Sequence, residues 1–264
     1  LMPTDLRDYV VDKAKPSRLG QGLGDLMGKS GGQAKAVETV AAGAKAPAET
    51  AAPVEVSEDV AAALERGKEK ARAHVLRLGR QNGIEFGMMV LSDGSTKENK
   101  RLGKDTHKFL LVNSTTAPEM WTEPPKSVDF HHNHPKSTSL SRGDYTDASG
   151  YGAADRPSLR RSWVHGHDGS EYWAEFNANG ETLGEAYDIA RALTETVTKK
   201  GLEMARYRAH VINQMLSDAG LINYYADMTP ADAEDRVEAI RKEIGEDKIA
   251  DTVEELIKLK ETAD

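Results

Sequence analysis

Apolar positions change period twice along this chain, and each change marks a different kind of element. After Ser57, Val60, Leu64, Ala71, Val75 and Leu78 recur at helical spacing behind a capping serine with two acids in its first turn. The pattern predicts an amphipathic helix that stops at Asn82-Gly83. The period then shortens. "IEFGMMVL" (84–91) closes on the turn "SDGS", "KFLLVN" (108–113) and "SVDFHHNH" (127–134) follow, and "SWVHGHDGSEYWAEFNA" (162–178) reads as a hairpin turning at Asp168-Gly169. From residue 182 the helical period returns. Thr182 and Glu185 make a capping-box pair opening a long helix through Leu193, Val197 and Met204. A second helix is expected from Thr229-Pro230, and a third over "DKIADTVEELIKLKE" with Ile249, Val253, Leu256 and Ile257.

Strands interleaved with short helices, then helices alone, predict an α+β (mixed α/β) fold with a helical C-terminal extension. Residues 31–56 hold nine alanines and two prolines among few large apolar groups, too little to offset the entropy of ordering them. The division expected is therefore 1–56 as a flexible low-complexity segment, 57–180 as the folded domain and 181–264 as the helical extension. Gly20, Gly22 and Gly24 follow no strand, so they read as a flexible loop rather than a phosphate cradle. The chain begins at Leu1, as a fragment or processed piece would.

Composition narrows the chemistry. No apolar run approaches the ~18 residues of a membrane span, and the N-terminus lacks the basic-then-apolar order of a secretory signal. The absence of cysteine excludes disulfides and thiolate metal sites, so any metal must be held by histidine and carboxylate. Net charge is −8, and residues 229–264 carry twelve acids against six bases. The rest is near neutral with no basic stretch, which argues against nucleic acid as a partner.

The densest chemistry lies in "DFHHNHPKSTSLSRGD" (129–144), where His131, His132 and His134 stand within four positions. His132 and His134 are two apart on an expected strand and so share a face, while His131 points the other way. Two imidazoles on one face can grip a divalent ion, leaving a third ligand to come from elsewhere. Ser141 at a helix N-cap would put Asp144 in the first turn, bringing strand end and helix start together. Such a pair is also what half-buried histidines at a strand end present. Asp147, one turn further on, is an inferior ligand, and His165 and His167 form a second His-x-His without a clear third partner. Glu98, in "TKENKR", reads as a solvated turn, and His74 and His210 as structural residues on helices.

His-x-His-Pro followed by Ser-x-x-Asp resembles the signature of the JAMM (MPN-plus, or JAB) metallopeptidases, and "HHNHPKS" is similar to their prokaryotic RadC-like and phage- or toxin-associated members. The resemblance covers about residues 58–180. It implies a curved sheet flanked by helices, a Zn2+ cofactor held by His132, His134 and Asp144, and a strand glutamate as general base, for which Glu85 is the candidate. It implies too that Ser141 lies near the developing oxyanion. Six residues separate His134 from Ser141, one fewer than the commonest family spacing, and Leu140 stands where a proline is usual.

The function implied is hydrolysis of a peptide or isopeptide bond in a peptide or protein substrate. The alternative is a phage-associated structural or assembly protein carrying a JAMM-like processing or inactive binding module, with the C-terminal helices contacting a protein partner. A cytoplasmic protein, or a virion-associated one if phage-derived, is expected.

Overall fold

The computed structural model describes residues 56–99, 117–146, 156–197 and 202–263. Of the expected features, the segment 1–55, the strand over 108–113 and Asp147 lie outside the described residues.

Helix α1 (Glu58–Asn82) begins where the Ser57 hydroxyl accepts the Val60 N–H at 3.3 Å. It ends where Gly83, at φ 67°, turns left-handed and returns its N–H to Gly79 O. Its buried stripe runs Ala63, Gly67, Ala71, Val75 and Gly79, four residues apart and mostly small, so the helix lies close on the sheet. Leu64 and Val75 anchor it over Met88 and Val90 in a small apolar cluster. Burying each such side chain is worth about 1.5–3 kcal/mol.

The strands are β1 (Gly87–Val90), β2 (Thr96–Glu98), β3 (Val128–His134), β4 (Leu159–Gly166), β5 (Glu171–Phe176) and β6 (Ile222–Asp227). They form one sheet in the order β2-β1-β3-β4-β5-β6. Only β3 and β4 pair in parallel, so the sheet is mixed. Short helices α2 (Glu119–Thr122) and α3 (Arg142–Tyr145) flank β3 in sequence. The remaining helices are α4 (Gly180–Val197), α5 (Leu202–Asp218), α6 (Ala233–Ile244) and α7 (Glu246–Ala263). The fold class is the expected α+β arrangement of a mixed sheet flanked by helices.

Alternation along β3 divides the molecule. Val128 and Phe130 enter the main core with Val164, Tyr172 and Ala174, facing Leu183, Tyr187, Val211, Ile212 and Met215 of α4 and α5, beneath which Ile240 and Leu256 continue the cluster. Asp129, His131 and Asn133 point to the α1 side. All seven β3 residues are buried because both faces are covered.

The C-terminal third is not helical throughout. After Gly220, at φ 69°, Ile222, Tyr224 and Ala226 alternate with the exposed Asn223, Tyr225 and Asp227, and the strand pairs with β5 from Phe176↔Ile222 to Glu171↔Asp227. The expected long helix through Met204 is two helices, α4 ending at Val197 and α5 starting at Leu202. Helix α4 also starts earlier than Thr182, because Asn179 Oδ1 accepts the Thr182 N–H at 2.8 Å. Helix α6 begins at Ala233 rather than at Thr229-Pro230. Among the described residues no helix is long and apolar enough to cross a membrane.

Candidate metal centre

Strand β3 delivers His132 and His134 to its end on the core-side face, and α3 brings Asp144 to them. His132 Nε2 lies 2.8 Å from Asp144 Oδ1, His134 Nε2 lies 3.6 Å from Asp144 Oδ2, and the two Nε2 atoms are 3.2 Å apart. Donors bonded at about 2.0–2.1 Å to a tetrahedral ion lie about 3.3 Å from one another. The separation of the two Nε2 atoms is close to that value, and one ligand atom from each of the three residues lies within 4.8 Å of the others. His132, His134 and Asp144 thus form a group that could hold a metal ion, and no other such group occurs among the described residues.

The second contacts of His134 and Asp144 agree, whereas His132 Nδ1 is buried with no hydrogen-bond partner among the described residues. His134 Nδ1 is 3.0 Å from both the carbonyl oxygen and the hydroxyl of Thr138. Donation to that carbonyl puts the proton on Nδ1 and leaves Nε2 as the free donor, the tautomer a metal requires. The Ser141 N–H and hydroxyl both donate to Asp144 Oδ2, at 2.6 and 2.8 Å, which fixes the carboxylate. Ser141 therefore meets the site through Asp144. From α5, Asn213 donates to Ser139 Oγ at 2.8 Å and to Leu140 O at 2.9 Å, and accepts from the Tyr145 hydroxyl. Asn213 ties both ends of the segment carrying Ser141 and Asp144 to the core. Leu140 is fully buried beside it.

Glu85 reaches the group from the other side, with Oε1 3.9 Å from His134 Nε2. It does not stand in a strand: β1 begins two residues later, at Gly87. The histidine side chains are almost fully buried, but Glu85 and Asp144 keep 22% and 14% exposure. The carboxylates are thus the more exposed side of the group.

Charge explains the protonation states. Burial alone would depress His134, but Asp144, hydrogen-bonded to it, and Glu85 outweigh burial and hold its pKa at about 9. Burial alone would raise Asp144, yet His132 and His134 hold it well below the usual carboxylate range. Both ion pairs of Asp144 are to imidazoles. In effect a proton occupies the place of a cation, and a metal ion would displace it.

The remaining histidines are elsewhere. His131 Nδ1 lies 3.0 Å from His165 Nε2 on the α1 face, and His165 contacts Glu171 at 3.3 Å. His165 and His167 do not converge on a common ion. His74 contacts Glu98 at 3.2 Å, and Glu98 belongs to the edge strand β2 rather than to a turn. His210 on α5 contacts the Tyr224 hydroxyl at 2.9 Å. Sequence reasoning missed Thr138 and Asn213. Thr138 could have been suspected from its place in the His134–Ser141 loop, but nothing local marks Asn213.

No family model matches this chain, and neither a curated protein nor a solved structure gives a significant match to it.

Proposed function

We propose that this chain is a zinc-dependent amide hydrolase of the JAMM kind, acting on a peptide or isopeptide bond. The observation that carries the proposal is the convergence of Glu85 on a buried His132–His134–Asp144 group whose acid is balanced by imidazoles. Zinc suits a nitrogen and oxygen donor set in a chain without cysteine. When bound, it supplies Lewis acidity that lowers the pKa of a ligated water to about 7 and polarises a carbonyl.

The chain's own residues supply the rest. Glu85, partly exposed and beside His134, takes the proton from the attacking water and returns it to the departing amine nitrogen. The Ser141 N–H holds Asp144, and its hydroxyl, which donates to Asp144 Oδ2, turns to donate to the carbonyl oxygen as that oxygen gains charge. Removing such a donor costs about 10²–10³ in kcat, the loss expected for Ser141→Ala. Thr138 keeps His134 in the metal-binding tautomer.

The test uses zinc-loaded protein with a pool of internally quenched peptides and lysine-ε-linked isopeptides. Wild type is expected to cleave members of the pool. Glu85→Gln should keep near one zinc per chain and lose about 10²–10⁴ of the rate, the scale of general acid–base catalysis. A folded, zinc-loaded wild type that cleaves nothing, or a Glu85→Gln variant as active as wild type, overturns the proposal.

A further inference from the structure

The candidate base sits on a stretch that belongs to neither a helix nor a strand. Residues 84–86 link the end of α1 to the start of β1. Backbone pairing between β1 and β3 reaches its last rung at Gly87↔His132. Beyond that rung the ladder is continued by one side chain. Asn133 Oδ1 accepts the Phe86 N–H at 2.8 Å, and Asn133 Nδ2 donates to Ile84 O at 3.1 Å. The Asn133 backbone N–H adds a bond to Phe86 O at 3.3 Å. Three hydrogen bonds from one residue thus bracket Glu85 on both sides.

We infer that Asn133 is the positioning residue for Glu85, an inference that rests on the hydrolase proposal above. Its own orientation is over-determined. The second Nδ2 proton faces His167 Nε2 at 3.1 Å, so the amide uses its acceptor and both donor protons. Gly79 of α1 lies against the amide: a Cβ there would fall 2.2 Å from Nδ2 and 2.5 Å from Cγ. Only glycine lets the helix close over Asn133 without displacing it.

The arrangement also explains why one strand can serve both roles. Successive β3 side chains point to opposite faces, so His132 and His134 take the ion on one face. Asn133, between them, is left to grip on the other the segment that carries the base. Ligands and base therefore share one rigid element, and a shift of either in register would move both. A misplacement of about 1 Å in a reacting group can cost about 10² in rate.

The experiment compares wild type, Asn133→Ala, Asn133→Asp, Glu85→Gln and the double variant Asn133→Ala/Glu85→Gln, all zinc-loaded, on the same quenched-peptide pool. Asn133→Ala should keep near one zinc per chain, because it touches no ligand, and lose about 10- to 100-fold in kcat with KM unchanged. The double variant should be no slower than Glu85→Gln, since Asn133 acts through Glu85. Independently of turnover, amide exchange at Phe86 should accelerate at least about tenfold in Asn133→Ala, with Met88–Val90 unaffected. Asn133→Asp keeps the shape and the acceptor and, taking up a proton on burial, still has one donor for Ile84 O, so it should fold even if the alanine variant does not, and show a smaller kcat loss. A folded, zinc-loaded Asn133→Ala with the kcat of wild type, an Asn133→Asp with the kcat of wild type, or a double variant well below Glu85→Gln, overturns the positioning role and leaves the hydrolase proposal standing. No hydrolysis by zinc-loaded wild type overturns both, whatever Phe86 does. An unchanged Phe86 amide overturns the bracket itself.

Discussion

His131 and His134 belong to the same buried strand, three positions apart, and their protonation is driven in opposite directions. His134 is held at a pKa of about 9, whereas burial, helped by His165 and Lys68, pushes His131 well below the usual imidazole range. Burial acts on both, so burial does not decide. The counter-charges do. On the α1 face the two acids nearest His131 and His165 have permanent cations: Arg160 grips Asp129 through two bonds of 2.8 and 2.6 Å, and Lys68 and Arg72 lie 2.9 and 3.5 Å from Glu171. Glu171 also touches His165 at 3.3 Å, but its charge is already met by the lysine and the arginine. On the other face both ion pairs of Asp144 are to imidazoles, and the proton that His134 carries is exchangeable. Asp129 and Glu171 are answered by arginine and lysine in a structural network, whereas Asp144 is answered by two histidines in a group that could hold a metal ion.

The largest effect that can break this comparison is on the proposed uptake of a metal ion. Asp144→Ala removes one donor and most of the negative charge that draws a cation in. Elemental analysis after zinc loading should fall from near one metal per chain to near none, while Glu171→Ala on the opposite face leaves metal content unchanged. Equal loss in both variants would show that the two faces are not electrically separate.

Stability should respond in the reverse sense. Asp129 is buried, held by Arg160 and also by Trp163 Nε1 at 3.3 Å. Asp129→Ala strands the Arg160 guanidinium, and breaking a buried pair in this way costs about 3–5 kcal/mol, read from denaturant midpoints. Asp144→Ala in the metal-free chain should cost less, because His134 can give up its proton when its partner is removed.

How much of this was legible in the sequence follows from the range of each interaction. Alternation along 127–134 assigns His132 and His134 to one face and His131 to the other, because the two-residue period is local. The Asp168-Gly169 turn was equally readable, and Gly169 does take φ 103°. Strand β6 carried the same kind of signal in Ile222, Tyr224 and Ala226, but it lies between helices, and a helical expectation was carried across it. Glu85, the candidate the resemblance implies, lies next to the group but precedes the strand: at Asn133 a side-chain amide joins the backbone in holding residues 84–86, and no periodicity encodes that. Asn213 is invisible in sequence, acting on Ser139 and Leu140 from more than 70 positions away.

Titration sharpens the comparison further. A histidine whose folded pKa is raised stabilises the fold below its unfolded value of about 6.5 and loses that stabilisation as pH climbs to about 9. A histidine whose folded pKa is depressed does the opposite: the fold is stable above about 6.5 and weakens as pH falls below it. His134 thus gives the metal-free chain an alkaline limb, and His131 and His165 give it an acid limb. Zinc must displace the His134 proton, so apparent affinity should rise about tenfold per pH unit between pH 7 and 9 and level off above. In competition titrations with a chelator, a pH-independent affinity over that window would mean that His134 is already neutral without metal.

The smallest expected effect tests whether the α1 face is only structural. His131 stacks on Trp163 at 5.5 Å with nearly parallel rings, and its Nδ1 meets His165 Nε2. His131→Phe keeps the stack and removes one buried hydrogen bond, leaving the His165 nitrogen without its partner. The cost should be about 1–2 kcal/mol at pH 7.5, part of it recovered below pH 6, where the variant has one fewer buried imidazole that protonation of the unfolded chain can exploit. Metal content should stay near one per chain, because the imidazole removed points away from the ion. If His131→Phe instead lowered zinc content, the strand would be transmitting charge between its faces, and the separation argued from Arg160, Lys68 and Arg72 would fail at its most direct point.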